Sequence, residues 1–168
     1  MTGARSIALG GVLAALAVVL MLLGGIVPLA VYLCPMLASL LLTALLPRLP
    51  RGLCWAWYAA VSLLAVLLCA DKECAFVFVF LGYYPIVRPA FSRLPRALRA
   101  VCKLLLFNLA AAAMYGLLIF VFKLEAVVQE AKTLGLWMLA ATVLLGNVAF
   151  VFFDLVLARL SARKQHRK

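Results

Sequence analysis

The sequence predicts an all-α integral membrane protein, a compact bundle of six transmembrane helices with both termini in the cytoplasm. Two observations concern composition: 69% of the 168 residues are hydrophobic and only 12% are charged, and the mean hydropathy is +1.21. Soluble domains carry a much larger charged fraction. The third observation is that the apolar residues form runs approaching or exceeding the about 20 residues that cross a hydrocarbon core. Little sequence is left for a soluble domain.

Six apolar segments define the predicted helices of this single domain over 1–168. They cover about 7–28, 31–46, 53–70, 74–88, 103–122 and 133–157. Long runs of Leu, Ala and Val without strict alternation predict helices rather than barrel strands. The fourth segment is short and contains Pro85, so by length alone it fits either a re-entrant segment or a tilted, broken span.

The distribution of charge favours six crossings. With six spans, thirteen of the sixteen Lys and Arg residues lie on the side of the termini, and four of the five acids lie on the other side with the remaining three Lys. Because Lys and Arg orient spans by staying in cytoplasmic loops, we expect both termini in the cytoplasm. The thirteen are Arg5, Arg48, Arg51, Arg88, Arg93, Arg96, Arg99, Lys103, Arg159, Arg163, Lys164, Arg167 and Lys168.

This placement also explains the net charge of +11 by membrane topology and attraction to anionic membrane lipid, so no nucleic-acid partner is expected. Between Pro89 and Lys103, three arginines recur every third residue. That spacing predicts a short helix along the inner interface. Residues 159–168 are predicted to be a basic cytoplasmic tail.

No catalytic constellation stands out in the sequence. The one histidine, His166, lies in the tail, and the five cysteines include no Cys-x-x-Cys pair. We therefore expect no enzyme activity, no catalytic residue, no cofactor and no metal site. Cys69 and Cys74 flank the sequence Ala-Asp-Lys-Glu; they either bridge it or serve as small apolar residues.

Polar side chains inside predicted spans are candidates for binding a solute, because their burial in lipid is costly. The helix rise places Tyr83 and Asn108 about 7–8 Å from the inner boundary, where they are expected to meet. Tyr115 and Asn147 lie roughly 18 Å in, as a second polar level. The alternative is that such side chains only join helices, for about 0.6 kcal/mol each.

The outer turn at residues 71–73 is either a solvated loop or a rim that selects a polar or zwitterionic solute. The full set of substrate-binding candidates is Asp71, Lys72, Glu73, Tyr83, Tyr84, Asn108, Tyr115, Trp137 and Asn147. Asp154, near the inner end of the sixth segment, is expected to pair with Arg88, Lys103 or Arg159.

The first helix carries small residues at helical spacing. Ala4 and Ala8 are four apart, as are Gly11 and Ala15, and Gly10 and Ala14. In lipid, such residues allow close approach between helices. The flat face they make is expected to contact either another helix of the bundle or a separate partner.

Gly11-Val-Leu-Ala-Ala15, followed by Leu-Ala-Val-Val-Leu-Met, resembles the Ala-x-x-x-Ala signature in the first helix of substrate-binding S components of energy-coupling factor (ECF) transporters. The resemblance implies a multi-pass protein of a prokaryotic cell membrane with six helices, which captures a small-molecule solute from outside. It also implies docking through Ala4, Ala8, Gly11 and Ala15 on a transmembrane coupling subunit with ATPase subunits. Few polar residues fall in the outer half, where such proteins bind substrate, and this favours an apolar or amphipathic solute. The alternative function is a non-transporting six-span scaffold of an envelope assembly.

Overall fold

The computed structural model describes residues 3–24, 30–120 and 136–165, and within them every regular element is a helix. Contacts divide the chain into two compact units, Met1–Arg93 and Leu94–Lys168. We call them unit 1 and unit 2 and describe each by itself.

The described part of unit 1 contains five α-helices and a 3₁₀ turn. Pro50 immediately precedes α3, and Pro85 lies in the first turn of α5, where the missing N–H of proline costs nothing. Asp71 caps α4 by accepting the backbone N–H of Glu73 at 2.9 Å. The elements are α1 (Ala4–Gly24), α2 (Ala30–Leu45), α3 (Arg51–Leu68), α4 (Lys72–Leu81), α5 (Tyr84–Val87) and the 3₁₀ turn Arg88–Arg93.

The helices of unit 1 alternate in direction. The Trp57 indole donates to the Gly10 carbonyl at 2.8 Å, which joins the beginnings of α1 and α3. The Cys74 thiol donates to the Met21 carbonyl at 3.5 Å, which joins the end of α1 to the beginning of α4. One end of unit 1 therefore carries Arg5, Arg48, Arg51 and Arg88, and we call it the basic end. The opposite end carries Asp71, Lys72 and Glu73.

The core of unit 1 is built from small and large side chains that fit against each other. Ala17, Leu42, Val61 and Phe78 have no exposed surface. α1 and α4 approach closely at Gly24, where an added Cβ would lie 2.7 Å from Cys74 Sγ. Because lipid tails are as apolar as these side chains, van der Waals packing is the main source of stability here.

Unit 2 contains two described helices, α6 (Arg96–Phe120) and α7 (Leu136–Gln165). The buried rings of Phe107 and Phe150 stack with centroids 4.7 Å apart. Lys103 contacts Asp154, and Asn108 contacts Asn147. Since the partner number falls as the residue number rises, α6 and α7 run antiparallel.

Among the described residues, five helical segments are long and apolar enough to cross a membrane: Ala4–Gly24, Arg51–Leu68, Lys72–Phe91, Ala97–Ile119 and Ala140–Leu160. This is the organisation of an all-α multi-pass membrane protein. The short apolar helix is Ala30–Leu45, not the fourth segment. The fourth segment is long because α4, α5 and the 3₁₀ turn follow one another with only Gly82 and Tyr83 between α4 and α5.

The basic stretch between Pro89 and Lys103 differs from the predicted interfacial helix. It is split between the 3₁₀ turn and the first two turns of α6, which then continues to Phe120. Pro95 explains the division, because it begins a new helix and disfavours a helical conformation in the residue before it. At the other end of unit 2, α7 continues into the predicted tail as far as Gln165.

Candidate functional site

The charged turn of unit 1 is held by contacts within the unit. The Lys72 ammonium donates to the carbonyls of Val66 and Cys69, each at 2.9 Å. These carbonyls belong to the last turn of α3, where a cation is favoured by the helix dipole. With Asp71 capping α4, two of the three predicted rim charges stabilise helix ends.

Glu73, the third rim charge, accepts a hydrogen bond from the Tyr32 hydroxyl at 2.6 Å. This contact joins the start of α4 to the start of α2. Sequence reasoning did not select Tyr32; the available signal was a tyrosine at the same predicted membrane boundary as Glu73. The contact uses one carboxylate oxygen of Glu73 for structure.

Three cysteines lie near this same end of unit 1 as free thiols. The position of a Cβ on Gly24 would be 2.7 Å from Cys74 Sγ and 3.2 Å from Cys34 Cβ. Burial raises the pKa of the Cys69 thiol, an effect that the nearby Lys72 ammonium opposes and the Asp71 carboxylate reinforces. Cys69 therefore stays a neutral thiol, consistent with its prediction as a small apolar residue.

An aromatic cluster occupies the basic end of unit 1. Trp55 and Tyr83 stack with centroids 6.3 Å apart, and Tyr58 meets both rings edge-on. The Tyr58 hydroxyl donates to the Val79 carbonyl. Sequence reasoning selected Tyr83 but missed Trp55 and Tyr58, although their separation of three residues places them on one face of α3. Tyr84, another candidate, is only 2% exposed and belongs to the core.

The polar side chains of unit 2 form a seam between α6 and α7. The Lys103 ammonium contacts an Asp154 oxygen at 2.7 Å, so Lys103 is the partner of Asp154. Asn108 and Asn147 donate to each other's amide oxygens at 2.8 and 3.1 Å. Each also donates to the carbonyl four residues before it. Both primary amides are therefore used between or within the two helices.

The pairing of Asn147 differs from the prediction that it would share a level with Tyr115. Counting from Arg159 as the membrane boundary placed Asn147 too deep. The register is instead set by Lys103 and Asp154, from which Asn108 and Asn147 are five and seven residues away. Tyr115, half-buried two helical turns beyond Asn108, lies at another level of α6. Asn108 was also predicted to meet Tyr83. Because these two residues belong to different units, their contact stays a prediction.

A groove of about 440 Å³ in unit 2 is lined by Ala140, Val143, Leu144 and Asn147. It is open, and of its described lining residues only Asn147 is polar. Trp137, one turn before Ala140, is 89% exposed. This combination suits contact with acyl chains or with an apolar solute better than enclosure of a polar solute.

The small-residue face of α1 is exposed. Ala4, Ala8, Gly11 and Ala15 are all exposed, and no atom lies within 4 Å of a Cβ added at Gly11. Gly10 instead faces the interior of unit 1, near Leu49 and Trp57. The two glycines therefore have different roles. Gly10 permits close packing inside the unit, while Gly11 leaves a shallow depression on its surface.

The described residues contain no group of three or more His, Cys, Asp or Glu side chains arranged to hold a metal ion. Residues 123–132, which connect the fifth and sixth predicted helices, lie outside the described residues, as does His166. Comparison of the chain with protein-family models, curated proteins and solved structures finds no match.

Proposed function

We propose that this chain is a membrane-embedded subunit that captures a small solute and delivers it for uptake through a partner ATPase module, in the manner of the S components it resembles. The termini face the cytoplasm of a prokaryotic cell in this proposal. The basic end of unit 1 is then the cytoplasmic end, in agreement with the preference of Lys and Arg for that side.

The observation that carries the proposal is the exposed face formed by Ala4, Ala8, Gly11 and Ala15. A helix buried by its own bundle on all sides would have neighbours over its smallest residues. Here the opposite face of α1 is packed, with Gly10, Ala17 and Met21 buried, while the space over Gly11 is open. A partner helix can approach such a face to backbone distance, which is how helices associate in lipid.

The solute favoured by the described residues is apolar or amphipathic. Asp71, Lys72 and Glu73 are engaged in contacts within unit 1, and Asn108 pairs with Asn147 in unit 2. The groove beside Asn147 is apolar. Binding there would bury acyl, isoprenoid or ring surface with one amide nearby.

The same engagement of polar groups supports a second candidate function, a non-transporting scaffold of an envelope assembly. In the charged turn of unit 1 and in the seam of unit 2, each of these charged or amide side chains contacts a helix end or a neighbouring helix. A scaffold needs this rigidity together with an exposed contact face, and it needs no solute.

The test is gentle purification of the tagged full chain from its native membrane, followed by identification of co-purifying proteins and retained small molecules in one sample. Gly11→Leu and Ala15→Leu fill the face, while Leu16→Phe, which adds bulk at an exposed position on another face of the same helix, is the matched control. The proposal expects a coupling subunit and ATPases with the parent and control proteins. The coupling subunit and the ATPases should both be absent from purified Gly11→Leu and Ala15→Leu proteins, which should still retain the solute.

Envelope proteins without an ATPase, lost in the same two variants, would establish the scaffold and overturn the transport proposal. Equal recovery of partners with all four proteins would overturn the role of the α1 face. Thermal unfolding of each variant distinguishes loss of docking from loss of folding, since the added side chain at Gly11 meets open space.

A further inference from the structure

The aromatic cluster at the basic end of unit 1 has donors that its own contacts do not use. Trp55, Tyr58 and Tyr83 lie with ring centroids 5.8–6.3 Å apart. The Tyr58 hydroxyl is bonded to the Val79 carbonyl. In the described part of the chain, the Trp55 indole N–H and the Tyr83 hydroxyl have no hydrogen-bond partner, and Trp55 is 43% exposed. Two neutral donors without a partner therefore belong to stacked rings, of which Trp55 is exposed and Tyr83 is partly exposed.

A cation lies one helical turn from Trp55. Arg51 and Trp55 are four residues apart in α3, so their side chains share a face. Arg51 is exposed, and it has no ion pair with any carboxylate in the described ranges. A guanidinium beside an indole N–H and a phenolic hydroxyl is a set of donors suited to phosphate oxygens.

The surface next to Trp55 on the side away from the basic end is apolar and nearly flat. Ala56, Ala59 and Ala60 are exposed along α3, and Leu63 follows, 62% exposed. Small side chains at these positions leave a shallow path beside the Trp55 ring. A straight hydrocarbon chain fits that path, whereas a soluble phosphate compound makes no use of it.

We propose that Arg51, Trp55 and Tyr83 bind the phosphate of an anionic phospholipid in the cytoplasmic leaflet, with one acyl chain lying along the exposed alanines of α3. The three side chains supply the guanidinium, indole N–H and hydroxyl donors to the phosphate oxygens. Tyr58 supports Trp55 and Tyr83 from the edge of their rings. This site does not depend on solute uptake or on docking through α1, and only its assignment to the cytoplasmic leaflet rests on the orientation proposed above.

The experiment uses the purified full chain in mixed micelles that contain equal amounts of phosphatidylglycerol and phosphatidylcholine. Native mass spectrometry counts the phospholipids retained per protein and identifies them. Arg51→Gln removes the charge, and the double variant Trp55→Phe/Tyr83→Phe removes both neutral donors while keeping the rings. Arg48→Gln is the matched control, because Arg48 is an exposed arginine of the same end that lies before α3.

We expect the parent protein and Arg48→Gln to retain phosphatidylglycerol in preference to phosphatidylcholine. Each test variant should lower that retention about tenfold, the effect of losing a hydrogen bond to a charged group. Equal retention by all four proteins, or no preference for phosphatidylglycerol in the parent, would overturn the site. Displacement of the lipid by an equal concentration of soluble glycerol phosphate would also overturn it, by making the ligand a free phosphate compound. Matched unfolding temperatures establish that the variants are folded.

Discussion

Asn108 and Asn147 exchange hydrogen bonds across the two helices of unit 2, each amide nitrogen donating to the oxygen of the other at 2.8 and 3.1 Å. A reciprocal pair of this kind satisfies both side chains at once. It fixes the register of α6 against α7 at a point where the neighbouring contacts are made by apolar side chains such as Phe107 and Phe150.

Asn108→Ala and Asn147→Ala should each destabilise unit 2, and the double variant should cost less than the two single variants together. The coupling free energy should be about 0.6 kcal/mol and below about 1.7 kcal/mol, the range measured for hydrogen bonds between membrane helices. A double-mutant cycle on the free energy of unfolding in micelles measures it. Strict additivity of the single variants would show that the amides do not bond each other.

The ion pair between Lys103 and Asp154 leads to a second prediction. Asp154→Asn should lower the free energy of unfolding by about 1–3 kcal/mol, because the Lys103 ammonium, 12% exposed, then loses its charged partner. The double variant Lys103→Met/Asp154→Leu should recover most of this loss, since no charge remains to be desolvated. Thermal unfolding in micelles checks both. An Asp154→Asn protein as stable as the parent would contradict the assignment.

Substitution by alanine should change the free energy of unfolding differently at two glycines of α1. Gly24→Ala should destabilise unit 1 by about 1–3 kcal/mol, because its Cβ would lie 2.7 Å from Cys74 Sγ and 3.3 Å from the Ala30 carbonyl. Gly11→Ala meets no atom within 4 Å and should be neutral or stabilising by up to about 1 kcal/mol, through helix propensity. Unfolding free energies of the two variants provide the comparison. Similar values would mean that Gly24 is not closely packed.

Burial of Cys69 predicts slow alkylation. A water-soluble maleimide at pH 7.5 should modify Cys69 at least about tenfold more slowly in the folded protein than in the unfolded chain, because the thiol is both inaccessible and less ionised. Since burial raises the pKa of this thiol, the rate in the folded protein should continue to rise above the pH range in which an ordinary thiol has finished ionising. Site-resolved mass spectrometry measures the rate. Rapid labelling at pH 7.5 would contradict the buried position.

Trp57 provides a prediction on how α1 and α3 are held together. Trp57→Phe removes the donor to the Gly10 carbonyl and part of a buried ring. We expect a loss of about 1–4 kcal/mol, from the hydrogen bond and from the cavity left behind. Trp55→Phe, which changes an exposed ring of the same helix, should cost less than about 1 kcal/mol. Denaturant or thermal unfolding of the two variants distinguishes them, and equal losses would contradict the structure.

The amino-acid composition and the apolar runs were sufficient to predict an all-helical membrane protein. Both are properties of single segments: backbone groups in lipid must be satisfied within a helix, whatever the neighbours are. Asp154 was also predicted to need a cation, because an isolated carboxylate at that depth is costly. Which cation it contacts depended on the register of α6 against α7, and the sequence left three alternatives open.

The individual partners of the candidate site residues came only from the tertiary structure. Counting residues from a presumed boundary assigned Asn147 to the level of Tyr115, whereas the helix pairing brings it to Asn108. In the same way, the sequence left Asp71 and Lys72 as part of either a solvated loop or a solute-selecting rim, and only the tertiary structure shows their contacts with the ends of α3 and α4. Sequence distance does not determine where a helix starts or how far it slides along its neighbour.

The sequence by itself determined that this protein consists of apolar helices, with basic residues collected at one end of unit 1 and an acidic turn at the other. These features follow from the cost of exposing backbone and charge to lipid, a cost that each segment meets alone. The tertiary structure decided that Gly10 faces inward while Gly11 stays open, and that Trp55, Tyr58 and Tyr83 meet. Those outcomes depend on the rotation of each helix about its axis, which is fixed by side-chain packing between helices.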